Sequence, residues 1–116
     1  MQYALLIYAR PDAVETLSED EREQVHREYW AIRAEPGMAG GASLRPPRTA
    51  TTVRIQDGQV LITDGPFADT KEILAGFYLF EAGDLDQATE MATRIPAVRL
   101  GGAIEIRPVV PPPVQP

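Results

Sequence analysis

Two short runs of this chain, residues 3–8 and 77–80, are apolar on both faces when read with the two-residue period of a strand. In the first, Tyr3, Leu5 and Ile7 alternate with Ala4, Leu6 and Tyr8. Strands of this kind lie in the middle of a sheet and need cover above and below. Whatever fold the chain adopts must supply two layers against them.

Two segments can supply such cover as helices. Ser18-Glu19-Asp20-Glu21 forms a capping box, in which the Ser18 hydroxyl accepts from the Glu21 N–H and the Glu21 carboxylate reaches back. Val25, Tyr29 and Ile32 then recur at i, i+4 and i+7, which predicts one buried stripe and a helix ending before Pro36. His26 and Trp30 fall on the border of that stripe. Asp84-Leu85-Asp86-Gln87 opens a second helix with a stripe of Leu85, Ala88, Met91, Ala92 and Ile95, stopped by Pro96.

The remaining segments read as strands. Residues 38–44 form a weak, Gly-rich strand closed by Pro46-Pro47. Residues 51–56 and 59–63 bracket Asp57-Gly58, the pair that favours a two-residue hairpin turn. That turn sets Val53 against Ile62 and Ile55 against Val60 on one side, with Arg54 and Leu61 on the other. Asp64 then shares the side of Val60 and Ile62 and is expected to point inward. Pro66 ends the strand and is expected to hold Gly65 extended. A polar elbow, Asp69-Thr70-Lys71-Glu72, returns the chain to the strand at 76–80, and a last strand at 103–107 alternates in the manner of a sheet edge. The tail, residues 108–116, carries five prolines and is expected to be extended or disordered.

The order is βα, a run of strands with an inserted hairpin, then αβ. It predicts an α+β, ferredoxin-like antiparallel sheet with two helices on one face. At 116 residues the chain forms one domain. Two helices leave the second sheet face bare, an apolar patch larger than a soluble monomer normally exposes, so a homodimer joined through that face is expected.

Several functions are disfavoured. Seventeen acidic residues against eleven basic ones give a net charge of −6, which counts against nucleic acid as a partner. One His and no Cys cannot supply a zinc set from a single chain. There is no G-x-x-x-x-G-K-S/T or G-x-G-x-x-G motif, and neither Ser18 nor Ser43 lies in a G-x-S-x-G setting. No cofactor is expected. No run approaches the ~18 apolar residues of a membrane span, and no signal peptide opens the chain, so the expectation is a cytoplasmic protein with no membrane partner.

The segment DGPFADTKE followed by GFYLFE, with YALLIY at the start, LRPPRTATTVR in the middle and GGAIEIRPV near the end, resembles the YCII-related, or DGPF-domain, family of small bacterial proteins. The likeness spans residues 1–109 and leaves 110–116 as a Pro-rich tail; Asp69 stands where Glu is expected. The resemblance implies a dimeric α/β-barrel arrangement and a His–Asp pair that moves a proton. Carried onto this chain, the imidazole is His26, and its carboxylate partner is Asp64 or Asp69. Trp30, Arg54, Phe67 and Tyr78 are the candidate ligand contacts. The implied chemistry is a cofactor-independent proton transfer on a small ring compound, isomerase- or lyase-like, such as a dehydrochlorination.

Each candidate has a plainer reading. His26 can be a surface histidine stacked on Trp30, and Asp64 an Asx-type cap on the following turn. Asp69 with Glu72 can cap one helical turn, and Lys71 can be a surface charge. Arg54 acts only if its face lines a dimer cleft, and Trp30 and Tyr78 can be core or pocket wall. The alternative function is a non-catalytic, dimeric ligand-binding or regulatory module associated with extracytoplasmic-function sigma factors, as such relatives are often encoded beside them. A structural dimer without a ligand is the third.

Overall fold

The computed structural model describes residues 1–113. Its first strand, β1 (Gln2–Ala9), pairs antiparallel with β5 (Ile73–Glu81) on one side and β6 (Ala103–Pro108) on the other. β2 (Met38–Ser43) adds to the far side of β5, so the four-stranded sheet runs β2-β5-β1-β6. This is the ferredoxin-like order. The two runs that are apolar on both faces are its two central strands, and β2 and β6 are its edges.

The odd-numbered side chains of β1 point into the core. Tyr3, Leu5 and Ile7 are buried with Tyr78 and Phe80 of β5, and Leu5 has no exposed surface at all. Helices α1 (Glu19–Ile32) and α2 (Leu85–Thr93) cover this face through Ile32, Ala88 and Met91. The capping box at Ser18 forms as expected, with both reciprocal hydrogen bonds at 3.2 Å.

The opposite face carries Ala4, Leu6, Tyr8, Phe77 and Leu79, all half-exposed. Register places Ala4 beside Leu79 and Leu6 beside Phe77, so they form one continuous apolar surface. No helix among the described residues covers it.

Between β2 and β5 the chain makes one 3₁₀ turn (Pro47–Thr49) and then a separate two-stranded sheet, β3 (Thr51–Gln56) with β4 (Gln59–Asp64). The expected register holds: Val53 faces Ile62 and Ile55 faces Val60, around a turn with positive φ at both Asp57 and Gly58. This hairpin is an exposed arm. Val53, Ile55, Val60 and Ile62 are each between 62% and 75% exposed. The arm helps to raise the radius of gyration to 16.5 Å, against about 13 Å for a compact chain of this length.

Several local expectations are corrected. Leu85 lies 54% exposed, because it occupies the first turn of α2, before the stripe reaches the sheet; Ala88, Met91, Ala92 and Ile95 are buried as expected. Pro96 does not merely stop a helix. It starts a further short one, α3 (Pro96–Arg99), since a proline at the first helical position has no N–H to lose. Gly65 has φ of +100°, a left-handed conformation that suits glycine. Residues 69–72 form no helical turn: 69 and 70 are irregular, and 71 and 72 bend into β5. The tail beyond β6 is irregular through residue 113; residues 114–116 lie outside the described residues.

Candidate functional site

α1 and its C-cap, Arg33, present His26, Tyr29, Trp30 and Arg33 at i, i+3, i+4 and i+7, on one face of the helix. Facing them is the β2–β5 edge of the sheet, where Ala42, Ser43, Ala75 and Gly76 are small. Large side chains on one wall and small ones on the other leave a cavity of about 310 Å³, closed at its base by Ile7 and Tyr78. A Cβ at Gly76 would come within 2.6 Å of the Ala42 carbonyl, so close pairing with β2 requires glycine there.

Tyr78 fixes the distance between the walls. Its hydroxyl donates to the Tyr29 carbonyl at 2.9 Å, satisfying a carbonyl in the last turn of α1. Burial, with the Tyr29 phenol nearby, pushes the Tyr78 phenol up to about 12, partly opposed by the Arg33 charge. Burial likewise raises the Tyr29 phenol above its ordinary value. Both phenols are therefore protonated at neutral pH.

The charge lining the cavity is one-sided. His26 and Arg33 are its ionisable bases, and no Asp or Glu contributes to its walls. The Arg33 guanidinium lies 4.8 Å from the centroid of the Trp30 ring, and among the described residues it has no ion pair or side-chain hydrogen bond. Glu28, also on α1, is engaged elsewhere through an ion pair to Arg99 at 2.5 Å, which holds its carboxyl below the usual range.

Three of the expected site residues, His26, Trp30 and Tyr78, thus share one cavity. The other four lie elsewhere in this chain. Asp64 ends β4 opposite Thr51, on the side of Val60 and Ile62 as the register requires. It is exposed rather than tucked inside, because the arm packs that side on nothing in its own chain. Its carboxylate does not cap the following turn; that corner is held by the Gly65 N–H to the Ala50 carbonyl and the Thr52 hydroxyl to the Gly65 carbonyl, both 2.8 Å. Asp69 is exposed and lines a second, wider hollow of about 990 Å³, between the root of the arm and the uncovered sheet face, with Tyr8, Leu44 and Leu74. Arg54 lies 5.0 Å from the centroid of the Phe67 ring, and Phe67 is 74% exposed. No hydrogen bond or ion pair among the described residues joins His26 to Asp64 or Asp69. Trp30 is itself 65% exposed and its ring stacks with Arg33.

Tyr29, Arg33, Ser43 and Gly76 are wall residues that the sequence reading did not single out. The signal was present: 26, 29, 30 and 33 fall on a single helix face, and the segment MAGGAS has no large side chain after Met38 to fill the space opposite. Among the described residues no three of His, Cys, Asp and Glu gather as a metal set, and no helix is long and apolar enough to cross a membrane.

Comparison with known proteins places this arrangement. The chain is similar to an uncharacterised protein of Rhizobium meliloti (strain 1021), 37% identical over 114 residues that cover 94% of this chain and 92% of the relative. The family model of the YCII-related domain matches residues 1–112, nearly all of the described chain, arm and cavity included. The chain belongs to the YCII-related domain family.

Proposed function

We propose that this protein is a cytoplasmic homodimer that binds a small ring compound in the cavity under α1, with His26 as the group that can move a proton there. The observation that carries the reading is the convergence of His26, Trp30 and Tyr78 on one cavity. Its volume lies at the lower end of the range for small-molecule sites, which suits a single ring. The dimer is supported by the apolar sheet face and the exposed arm, neither of which the chain covers itself.

Ligand binding is the part of the function that one chain can support alone. In a His–Asp pair the carboxylate fixes the imidazole tautomer for proton transfer of the isomerase or lyase kind. Asp64 sits at the base of the exposed arm and Asp69 on the open side of the sheet. Either would have to reach His26 from a second copy. The regulatory reading, a dimer that meets another protein such as a sigma factor, draws on the same uncovered arm.

The test is an NMR screen of single-ring compounds against the whole chain. Shifts at the His26 ring and the Trp30 indole, lost on Ser43→Phe, which fills the cavity from an exposed edge-strand position, are expected. Compounds that move only arm or open-face resonances would refute this site. Asp64→Asn or Asp69→Asn would alter the His26 ring nitrogen shifts if either carboxylate orients it; unchanged shifts in both would leave binding without the His–Asp pair.

A further inference from the structure

We infer that the ligand of the α1 cavity is an anion, specifically a small aromatic or otherwise planar carboxylate held by Arg33; this rests on the reading of that cavity as the site. The chain carries seventeen acidic residues and a net charge of −6, yet none of those acids lines the cavity. Its walls carry one guanidinium, one imidazole, the Ser43 hydroxyl and the phenols of Tyr29 and Tyr78, the second of which is already bonded to the Tyr29 carbonyl.

Arg33 is also unusual among the arginines of the helical layer, where Arg27 donates to the Gln24 side chain at 3.2 Å. Arg94 is paired with Glu35 and Glu90, Arg99 with Glu28, and Arg22 donates to the carbonyls of Val14 and Glu15. Arg33 has no such partner among the described residues. It stacks on Trp30 instead, which orients the guanidinium plane and leaves its N–H edge free. A planar fork with free donors matches a carboxylate in two parallel hydrogen bonds. The rest of the wall, Ile7, Tyr29 and Tyr78 with the Gly76 backbone, is suited to the flat apolar body behind such a head group. Both phenols stay neutral, so neither repels an anion.

Trp30 is the single tryptophan of the chain and lies on the wall, so its fluorescence reports directly on the cavity. The probes are benzoate and its neutral isostere benzamide, added to the full chain. Benzoate is expected to change Trp30 emission saturably, with benzamide binding at least tenfold more weakly. Arg33→Gln should weaken benzoate at least tenfold and leave benzamide unchanged, and added salt should weaken benzoate alone. Arg33 is exposed, so the variant should fold, and circular dichroism checks that it does. Equal binding of benzoate and benzamide overturns the anion inference while the cavity remains a site. If neither probe moves Trp30 emission or the His26 ring resonances, both readings fall together.

Discussion

The Tyr78 hydroxyl donates to the Tyr29 carbonyl across 2.9 Å, joining the centre of the sheet to the last turn of α1. The bond is made from a buried phenol to a helix-end carbonyl, and both residues line the cavity. Tyr78→Phe should therefore cost about 1–2 kcal/mol in urea unfolding, as it removes one buried hydrogen bond and leaves the carbonyl short of a partner. The same phenol gives a pH dependence. Its folded-state value near 12 lies above the ordinary value of 10.0, so the folded state holds the proton more tightly. The stability this contributes is complete below pH ~10 and is lost as pH rises towards ~12. Stability of wild type should fall faster than that of Tyr78→Phe across that window; parallel curves would contradict the assignment.

The capping box gives a second prediction, at the acidic end. Ser18→Ala should destabilise the protein by about 1 kcal/mol, because Ser18 is the N-cap and its hydroxyl accepts from the Glu21 N–H. The Glu21 carboxyl is held below its usual range, first by the Ser18 backbone N–H and then by the Ser18 side chain. Its contribution is present above the ordinary carboxylate value and lost as pH falls through the depressed one. Thermal melts at several acidic pH values should show the difference between wild type and Ser18→Ala narrowing as pH drops.

Leu5 is completely buried beneath both helices, on the central strand. Leu5→Ala should cost about 2–5 kcal/mol, the transfer term plus the cavity left in a sheet that cannot collapse around it. A loss under 1 kcal/mol by denaturant titration would mean that the strand is less enclosed than described.

The arm predicts how copies associate. Ile55 is 75% exposed and Ile62 71% exposed in the single chain, so Ile55→Glu should change the stability of an isolated chain by no more than about 0.5 kcal/mol. If the apolar side of the arm lies on a second copy, the same substitution should weaken the dimer at least tenfold, seen as a fall towards the mass of one chain in sedimentation at micromolar concentration. A dimer that is indifferent to Ile55→Glu but broken by Phe77→Asp would be joined by the sheet face alone.

Much of the fold follows from local rules written in the chain. Ser18 and Glu21 cap α1, Asp57-Gly58 sets the register of β3 and β4, and the runs at 3–8 and 77–80 occupy the centre of the sheet because both of their faces are apolar. Each of these depends on neighbours a few residues away, so periodicity and turn chemistry are enough to read them. Where side chains end up relative to distant segments is another matter. The side of the strand on which Asp64 lies is a local property and was legible; whether anything covers that side depends on where the whole arm goes, and in one chain it goes into solvent. The cavity needs Arg33 on a helix and Ser43 and Gly76 on two strands to meet, and only the packing of α1 across the β2–β5 edge brings them together. Local sequence determined the elements and their registers, since backbone conformation answers to near neighbours. Tertiary structure decided the site, since a cavity is a gap between elements and belongs to none of them alone.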